Sequence, residues 1–174
     1  MDAAERRENI EAFLAQSTEP VSASRLARQL GVSRQVIVGD IALLRAAGRD
    51  IIATARGYMV PPAALPGCYV GKIACQHTPQ QLETELLTVV GLGGEVLDVV
   101  VAHELYGEMT GQLNIATTED VAGFVRKTAR SQTKLLSDLT DGVHLHTIAC
   151  RDREAFERIT RQLGTLGILY APAL

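Results

Sequence analysis

Residues 32–45 read VSRQVIVGDIALLR, and this stretch decides how the N-terminal part of the chain can fold. Its apolar positions recur at intervals of three and four residues, which is typical of an amphipathic helix. These positions are Val36, Ile37, Ile41 and Leu44. Ser33 is suited to cap the start of the helix, and Ala47-Gly48 predicts its end. The stretch is therefore predicted to be one helix with a buried apolar side.

Two further helices are predicted before this stretch. The first spans Arg6 to Gln16, and the second ends at Gly31. Their apolar residues repeat at helical spacing: Ile10, Phe13 and Leu14 in the first, and Leu26, Ala27 and Leu30 in the second. Ser22 and Ser24 are both suited to cap the second helix. The second and third helices are separated only by a tight turn, as in a helix-turn-helix.

A β-hairpin is predicted after the third helix. The short runs Ile51 to Thr54 and Tyr58 to Val60 are β-prone and flank Ala55-Arg56-Gly57. Helix, helix, turn, helix and hairpin is the element order of a winged helix-turn-helix. The segment 61–67, PPAALPG, contains three prolines and a glycine, and cannot continue a helix or a central strand. It predicts a boundary between a domain over 1–62 and a second over 67–174.

The second domain alternates predicted strands and helices. The strands are Lys72 to Gln76, Val96 to His103, Gln112 to Ala116 and Val143 to Ala149. The helices start at the Thr78-Pro79-Gln80-Gln81 capping box, at Thr118-Glu119-Asp120 and at Arg153, the first stopping near Val90 and the last near Leu163. This order predicts an α+β fold, with the winged helix-turn-helix followed by a two-layer α/β sandwich.

Composition and charge narrow the class of protein. The chain has 174 residues, 47% of them hydrophobic, yet no apolar run is long enough to cross a bilayer and no signal peptide precedes the first helix. A soluble, cytoplasmic protein is expected. Residues 20–60 carry six arginines against two acids, whereas residues from 61 onward carry nine basic against thirteen acidic side chains. A local net charge of +4 beside an acidic domain favours DNA binding.

The recognition helix supplies candidate DNA contacts. Ser33, Arg34 and Gln35 lie at its N-terminus, where arginine can bond guanine and glutamine can bond adenine in the major groove. Arg45, Arg49 and the hairpin residue Arg56 are candidate phosphate contacts. Arginines on a helix surface are more often ordinary solvated charges, and a winged helix can also bind protein. The agreement of helices, turn, hairpin and charge favours the DNA interpretation.

The four histidines all lie in the second domain: His77, His103, His144 and His146. His144 and His146 are two residues apart on a predicted strand, so both project from one face about 6.6 Å apart along the chain. His77 precedes the capping box, and Glu85 lies about two turns into the helix that follows. Together they predict a site suited to zinc, nickel, cobalt, iron or manganese. His103 alone is interpreted as a satisfied polar residue or an effector contact.

The cysteines and His103 match no disulfide, thiolate-zinc or zincin pattern. Cys68, Cys75 and Cys150 are odd in number and form no Cys-x-x-Cys pair, which argues against disulfides and a thiolate zinc site and predicts small buried hydrophobes. His103-Glu104 would require histidine at Gly107 to form a zincin motif. The chain is therefore predicted not to be an enzyme.

Several segments together resemble the niacin-responsive transcriptional repressors, which combine a winged helix-turn-helix with a three-histidine (3H) domain. They are VSRQVIV at 32–38, DIALLR at 40–45, IIAT at 51–54, RGY at 56–58, His77-Thr78, His103 with Tyr106-Gly107, and GVHLHTI at 142–148. The resemblance spans nearly the whole chain. The winged-helix part alone is shared with many bacterial regulators, so specificity comes from the combination.

The resemblance implies repression of NAD-biosynthesis or niacin-uptake genes by a homodimer on double-stranded operator DNA, with nicotinic acid as co-repressor. It implies one divalent transition metal per chain, nickel or zinc foremost, held by His77, Glu85, His144 and His146. The family pattern has proline after the histidine that corresponds to His103, where Glu104 stands here. Two other functions stay open: a regulator that senses the metal itself, and a small metallohydrolase with a DNA-binding appendage. The hydrolase ranks last because no carboxylate beyond Glu85 is evident as a general base.

Overall fold

A computed structural model describes residues 2–61 and 68–171. The chain forms two compact units, residues 1–63 and 64–174. The predicted linker lies outside the described residues except for Pro61. Within the described ranges, no helix combines the length and apolar character that crossing a membrane requires.

Within residues 2–61, the N-terminal unit consists of three helices and a hairpin, as predicted. Its elements are α1 (Ala3–Gln16), α2 (Ala23–Leu30), α3 (Arg34–Ala46), β1 (Ile52–Thr54) and β2 (Gly57–Met59). Ser33 caps α3 by accepting a hydrogen bond from the Val36 amide. Of the two candidate caps of α2, Ser22 accepts from the Arg25 amide, whereas Ser24 lies inside the helix. Gly31 ends α2 in the left-handed conformation.

The core of this unit is built from the predicted apolar faces. Ile10, Leu14, Leu26, Ile37 and Ile41 are at most 2% exposed. Because burial of each such side chain stabilises the fold by about 1.5–3 kcal/mol, these few contacts hold the three helices together. Val36 departs from the prediction: it is 37% exposed, since it lies just beside the stripe that faces the core.

Two polar features fix the position of α3 and of the hairpin. The Arg6 guanidinium donates to the buried Asp40 carboxylate at 2.5 Å and so ties α1 to α3. The backbone of Val21 exchanges hydrogen bonds with that of Tyr58 at 2.8 and 2.9 Å, which joins the hairpin to the loop before α2. Gly57 is required there: a Cβ at this residue would lie 2.4 Å from the Val21 carbonyl carbon.

Over residues 68–171, the C-terminal unit has four strands and three α-helices. They are β3 (Tyr69–Gln76), α4 (Leu82–Gly91), β4 (Gly94–His103), β5 (Gly107–Ile115), α5 (Thr118–Arg130), β6 (Val143–Cys150) and α6 (Arg153–Thr165). Short 3₁₀ turns, Pro79–Gln81 and Leu136–Thr140, precede α4 and β6. Neighbouring strands are antiparallel in the order β5-β4-β6-β3. The predicted α+β fold class is confirmed.

Several boundaries differ from those predicted. Strand β5 starts at Gly107 rather than Gln112. Its first residues pair with β4, but most of them are exposed, so they lack the alternation of apolar and polar side chains that predicts a strand. The N-cap of α5 is Thr117 rather than Thr118. Thr117 accepts from the Asp120 amide while Asp120 accepts from the Thr117 amide, both at 3.1 Å. This reciprocal pair needs the acid three residues after the cap.

Helices α4 and α6 cover one face of the sheet and contact each other. Leu86 and Val89 of α4, Ile159 and Leu163 of α6, and Ile148 of β6 are fully buried between the two layers. The side chains of β6 alternate strictly between buried and half-buried, so every second residue of this strand points under the helices. This alternation determines which residues can meet beneath α4.

Candidate metal centre and nucleic-acid interface

Strands β3 and β6 bring the predicted histidines together. His144 and His146 are both on the buried face of β6, at 4% and 2% exposure, with ring centroids 4.7 Å apart. His77 lies just after β3, and its ring centroid is 4.9 Å from that of His144. Gly142, at the turn into β6, allows this approach because a Cβ there would lie 2.6 Å from the His77 carbonyl oxygen.

Glu85 joins the histidines from helix α4. Its side chain is fully buried, and its carboxylate faces the Nε2 atoms of all three rings. The Nε2 atom of His77 is 2.7 Å from Oε2, that of His144 is 3.3 Å from Oε1, and that of His146 is 3.4 Å from Oε2. The four predicted ligands therefore form one cluster, the histidine–glutamate cluster. His103 is not part of it.

Each ring of the cluster is held by a backbone carbonyl on its other side. The Nδ1 atom of His77 lies 2.8 Å from the Thr78 oxygen, that of His144 lies 2.9 Å from the Gly142 oxygen, and that of His146 lies 2.6 Å from the Asp98 oxygen. Since a carbonyl only accepts, Nδ1 carries the proton in each case. In a neutral imidazole the lone pair is then on Nε2.

This arrangement suits a cation. Three Nε2 lone pairs directed at a carboxylate repel it unless a proton or a metal ion lies between them. Protonating three buried rings is costly, whereas one divalent ion satisfies all the donors at once. The buried Nε2 atom of His146 makes no hydrogen bond within the described residues, although Glu85 is near. The donor set of the cluster therefore fits a transition metal.

The electrostatics of the cluster keep Glu85 ionised. Burial alone would raise the pKa of this carboxyl, but the interactions with the facing rings of His144, His146 and His77 outweigh burial and hold the pKa well below its usual range. Burial would lower the pKa of His77, but the hydrogen bond and charge of Glu85 raise it above its usual value. Glu85 is thus an anion at neutral pH.

The thiol of Cys75, which was not predicted to belong to the site, also borders the cluster. Cys75 is fully buried, and its Sγ atom, a Glu85 oxygen and a His144 ring nitrogen all lie within 4.8 Å of one another. Burial, and secondarily the charge of Glu85, raise the pKa of this thiol. The signal was present in the sequence, because Cys75 and His77 repeat the two-residue spacing of His144 and His146. Cys68, by contrast, is exposed rather than buried as predicted.

A narrow apolar cavity opens onto the three histidines. Among the described residues its wall is formed by His77, Leu82, Leu86, Val99, Leu113, Phe124, Leu135, Leu136, Ser137, His144 and His146. Glu85 and Cys75 are not among those described lining residues. The cluster therefore has a carboxylate and thiol side under α4 and a side that faces the cavity.

His103 lies at the end of β4. Val99 is paired with His146, so His103 is four residues, about 13 Å, further along the strand. Its Nδ1 accepts from the amides of Leu105 and Tyr106 at 3.2 and 3.3 Å, and its ring is 5.0 Å from that of Tyr106. These contacts give His103 a local role in the β4–β5 turn.

The candidate DNA contacts lie at both ends of α3, just after it and in the hairpin. Ser33, Arg34 and Gln35 are exposed at the helix N-terminus, and Arg45 is exposed in its last turn. Arg56 lies in the turn between β1 and β2. The Nε atom of Arg49 donates to Glu11 at 2.8 Å. The residues predicted to contact DNA are therefore exposed, and Arg49 is also held by an ion pair within the protein.

Comparisons with known proteins agree with this architecture. Residues 6–59 match the family model described as an HTH domain, and residues 70–172 match that described as the 3H domain. The chain is 44% identical over 165 residues to the Probable transcription repressor NiaR of Thermotoga maritima, covering 95% of this chain and 93% of the relative. It is 39% identical over 168 residues to the Transcription repressor NadR of Bacillus subtilis, with the same shares covered.

The HTH match coincides with the three helices and the hairpin, and the 3H match contains the histidine–glutamate cluster. Both relatives are named as repressors, which agrees with the prediction that the chain is a DNA-binding regulator rather than an enzyme. The chain therefore belongs to the family of NiaR/NadR-type transcription repressors, in which an HTH domain is followed by a 3H domain.

Proposed function

We propose that this repressor controls NAD-biosynthesis or niacin-uptake genes, with nicotinic acid as co-repressor and one divalent transition metal, nickel or zinc, in each chain of a homodimer. The observation that supports this most directly is the convergence of three anchored Nε2 atoms on the buried Glu85 carboxylate beside a cavity. The metal ligands are His77, Glu85, His144 and His146.

The cavity beside the cluster has a volume of only about 30 Å³, so it would have to widen to admit a flat pyridine carboxylate, to which its walls are suited. Leu82, Val99, Phe124 and Leu136 supply apolar wall for an aromatic ring, and Ser137 supplies a hydroxyl. A metal on the three histidines would offer an open coordination position to the carboxylate of the ligand. A neutral analogue such as nicotinamide is a weaker metal ligand and should bind more weakly.

DNA binding is assigned to the N-terminal end of α3, to its last turn and to the hairpin. Arg34 and Gln35 read base edges, while Ser33, Arg45 and Arg56 contact phosphates. Arg49 contributes less because Glu11 already holds its guanidinium. In a homodimer, two such helices meet successive major grooves, and the effector acts by favouring the arrangement whose helix spacing matches the operator.

The test is fluorescence anisotropy of the full-length protein with its own upstream DNA at fixed salt. Binding is measured with nicotinic acid, with nicotinamide and without ligand, and bound metal is assayed in the same samples. Nicotinic acid should tighten binding of the wild type and have no effect on H144A. An H103A variant should keep the response if His103 serves only the β4–β5 turn.

Three other results would change the proposal. A response to added metal that is indifferent to nicotinic acid would favour a metal-sensing regulator. A response to nicotinic acid that survives in H144A would separate the effector from the cluster. Absence of salt-sensitive, sequence-specific binding under every condition would refute the assigned DNA contacts. Size-exclusion chromatography with light scattering tests the homodimer independently.

A further inference from the structure

Cys75 occupies a ligand position in the strand pair that forms the histidine–glutamate cluster. It is directly opposite His144 in the β3–β6 register, so the two side chains leave the sheet on the same face. His77 follows two residues later, as His146 follows His144. Two antiparallel segments therefore each present two donor residues beneath α4.

The distances are close to those of a coordination sphere. Donor atoms bound to one zinc ion at about 2.0–2.3 Å lie about 3–4 Å apart. The Sγ atom of Cys75, a Glu85 oxygen and a His144 nitrogen already lie within 4.8 Å of one another. Side-chain movements of about 1 Å would close these atoms around an ion.

The charge of the cluster also calls for a second anionic donor. Neutral imidazoles and one carboxylate leave a divalent ion with a net charge of +1 in a site whose residues are almost wholly buried. A buried net charge is costly in a medium of low dielectric constant. The thiolate of Cys75 is the buried group within reach of both Glu85 and His144 that would bring the net charge to zero.

A separate observation points to a metal ion in this cluster. His146 is 2% exposed, and its Nε2 atom points toward Glu85 without making a hydrogen bond in the described part of the chain. Such orphaned buried nitrogens are uncommon in folded proteins, and a metal ion removes the cost. The unpartnered nitrogen and the thiol thus border the same small space around Glu85.

We infer that Cys75 is a fifth protein ligand of the metal, bound as thiolate on the α4 side of the cluster. The inference rests on the metal centre of the proposed function. On binding, the S–H bond breaks, the sulfur keeps the electron pair for its bond to the metal, and the proton passes to solvent without oxidation or reduction. A thiolate selects zinc, nickel or cobalt over manganese, because manganese prefers oxygen donors.

The experiment is Co²⁺ loading of the metal-free full-length protein, followed by absorption spectroscopy. Ligand-field bands in the visible report that Co²⁺ is bound, and a thiolate-to-cobalt charge-transfer band in the near ultraviolet reports a sulfur ligand. Three proteins are compared: the wild type, C75S and the double variant C68S/C150S. The double variant is the matched control, since it keeps Cys75 as its one cysteine.

The inference expects both kinds of band in the wild type and in C68S/C150S. In C75S the ligand-field bands should persist while the charge-transfer band disappears. A charge-transfer band that survives in C75S, or one lost in C68S/C150S, would overturn the assignment. Visible bands without a charge-transfer band in the wild type would refute Cys75 but leave the metal centre. No Co²⁺ bands in the wild type would refute both.

Metal competition provides a second readout. Removing the thiolate should weaken Zn²⁺ binding by about 10- to 100-fold, the range known for altered metal surroundings, and Mn²⁺ binding by less than about threefold. Equal weakening of both ions in C75S would indicate a general disturbance of the cluster and overturn the ligand role. Circular dichroism confirms that each variant is folded.

Discussion

Replacement of Glu85 by glutamine tests the metal centre with little change of shape. The side chain is fully buried and faces three imidazoles, while the neighbouring residues Leu86 and Val89 pack against the sheet. Glutamine keeps the volume and the packing but removes the negative charge and adds an N–H donor directed at the rings. We expect the variant to fold and to bind divalent metal at least about 100-fold more weakly, since changes that touch metal ligands only indirectly already cost about 10- to 100-fold.

The change in affinity converts into a change in stability. A metal present at 1,000 times its Kd stabilises the folded chain by about 4.1 kcal/mol. If the Kd rises by about 100-fold, the same metal concentration contributes only about 1.4 kcal/mol, a loss of about 2.7 kcal/mol. For a chain of this size, about 2–4 °C of Tm corresponds to each kcal/mol, so the metal-induced rise in Tm should fall by about 5–11 °C.

The assay is thermal unfolding followed by circular dichroism, with excess Ni²⁺ or Zn²⁺ and with EDTA. The matched control is Glu83→Gln, which removes an exposed carboxylate from the same helix and should leave the metal-induced shift unchanged. A full metal-induced shift in Glu85→Gln would mean that Glu85 is not a ligand. Equal loss in both variants would mean that the general charge of α4, rather than the cluster, attracts the metal.

Three further predictions follow from the geometry. The lowered pKa of Glu85 contributes stability that is lost as pH falls below its ordinary value of 4.5, whereas the raised pKa of His77 contributes stability that is lost as pH rises above 6.5. The metal-free protein should therefore have its highest Tm between these two pH values. The metal-induced rise in Tm should grow with pH, because protons compete with the metal for the ligands. A metal-induced rise in Tm that does not depend on pH would contradict this. Gly57→Ala places a methyl group 2.4 Å from backbone, so DNA binding should be lost while C-terminal metal binding, measured by Co²⁺ absorption, persists. Arg34→Ala should cost about 1–3 kcal/mol of discrimination between the operator and mutated sites, measured by anisotropy titration. Arg49→Ala should have a smaller effect on DNA affinity. The reverse order would reject the assigned roles.

The N-terminal unit could be predicted closely because its signals are local. Ser33 caps α3, and Gly31 ends α2, through contacts within a few residues of each. The spacing of apolar residues in α3 likewise predicts which side of that helix is buried. Val36 lies at the edge of the apolar face of α3. Sequence spacing does not show whether a residue at that edge is buried, because this depends on the neighbouring helices.

The C-terminal site depended on contacts that sequence spacing does not express. The facing pair Cys75 and His144 is 69 positions apart and meets only through the β3–β6 register. The lack of a Cys-x-x-Cys pair argues against a site made only of thiolates, but it does not bear on a single thiol among histidines. The cap of α5 could have been predicted, because the acid at Asp120 stands three residues after Thr117 and not after Thr118.

The backbone anchors of the three rings explain how occupation of the cluster can affect the whole C-terminal unit. The carbonyls that hold His77, His144 and His146 belong to three separate segments: the loop before α4, the turn before β6, and the irregular part of β4 at Asp98. A metal bound to the Nε2 atoms would fix all three segments through the rings. An effector that shifts one ring from the cavity side must shift its segment or break a buried hydrogen bond, at a cost of about 1–3 kcal/mol. That cost is comparable to a typical coupling free energy between two sites, so small ring movements suffice to bias one arrangement of the unit over another.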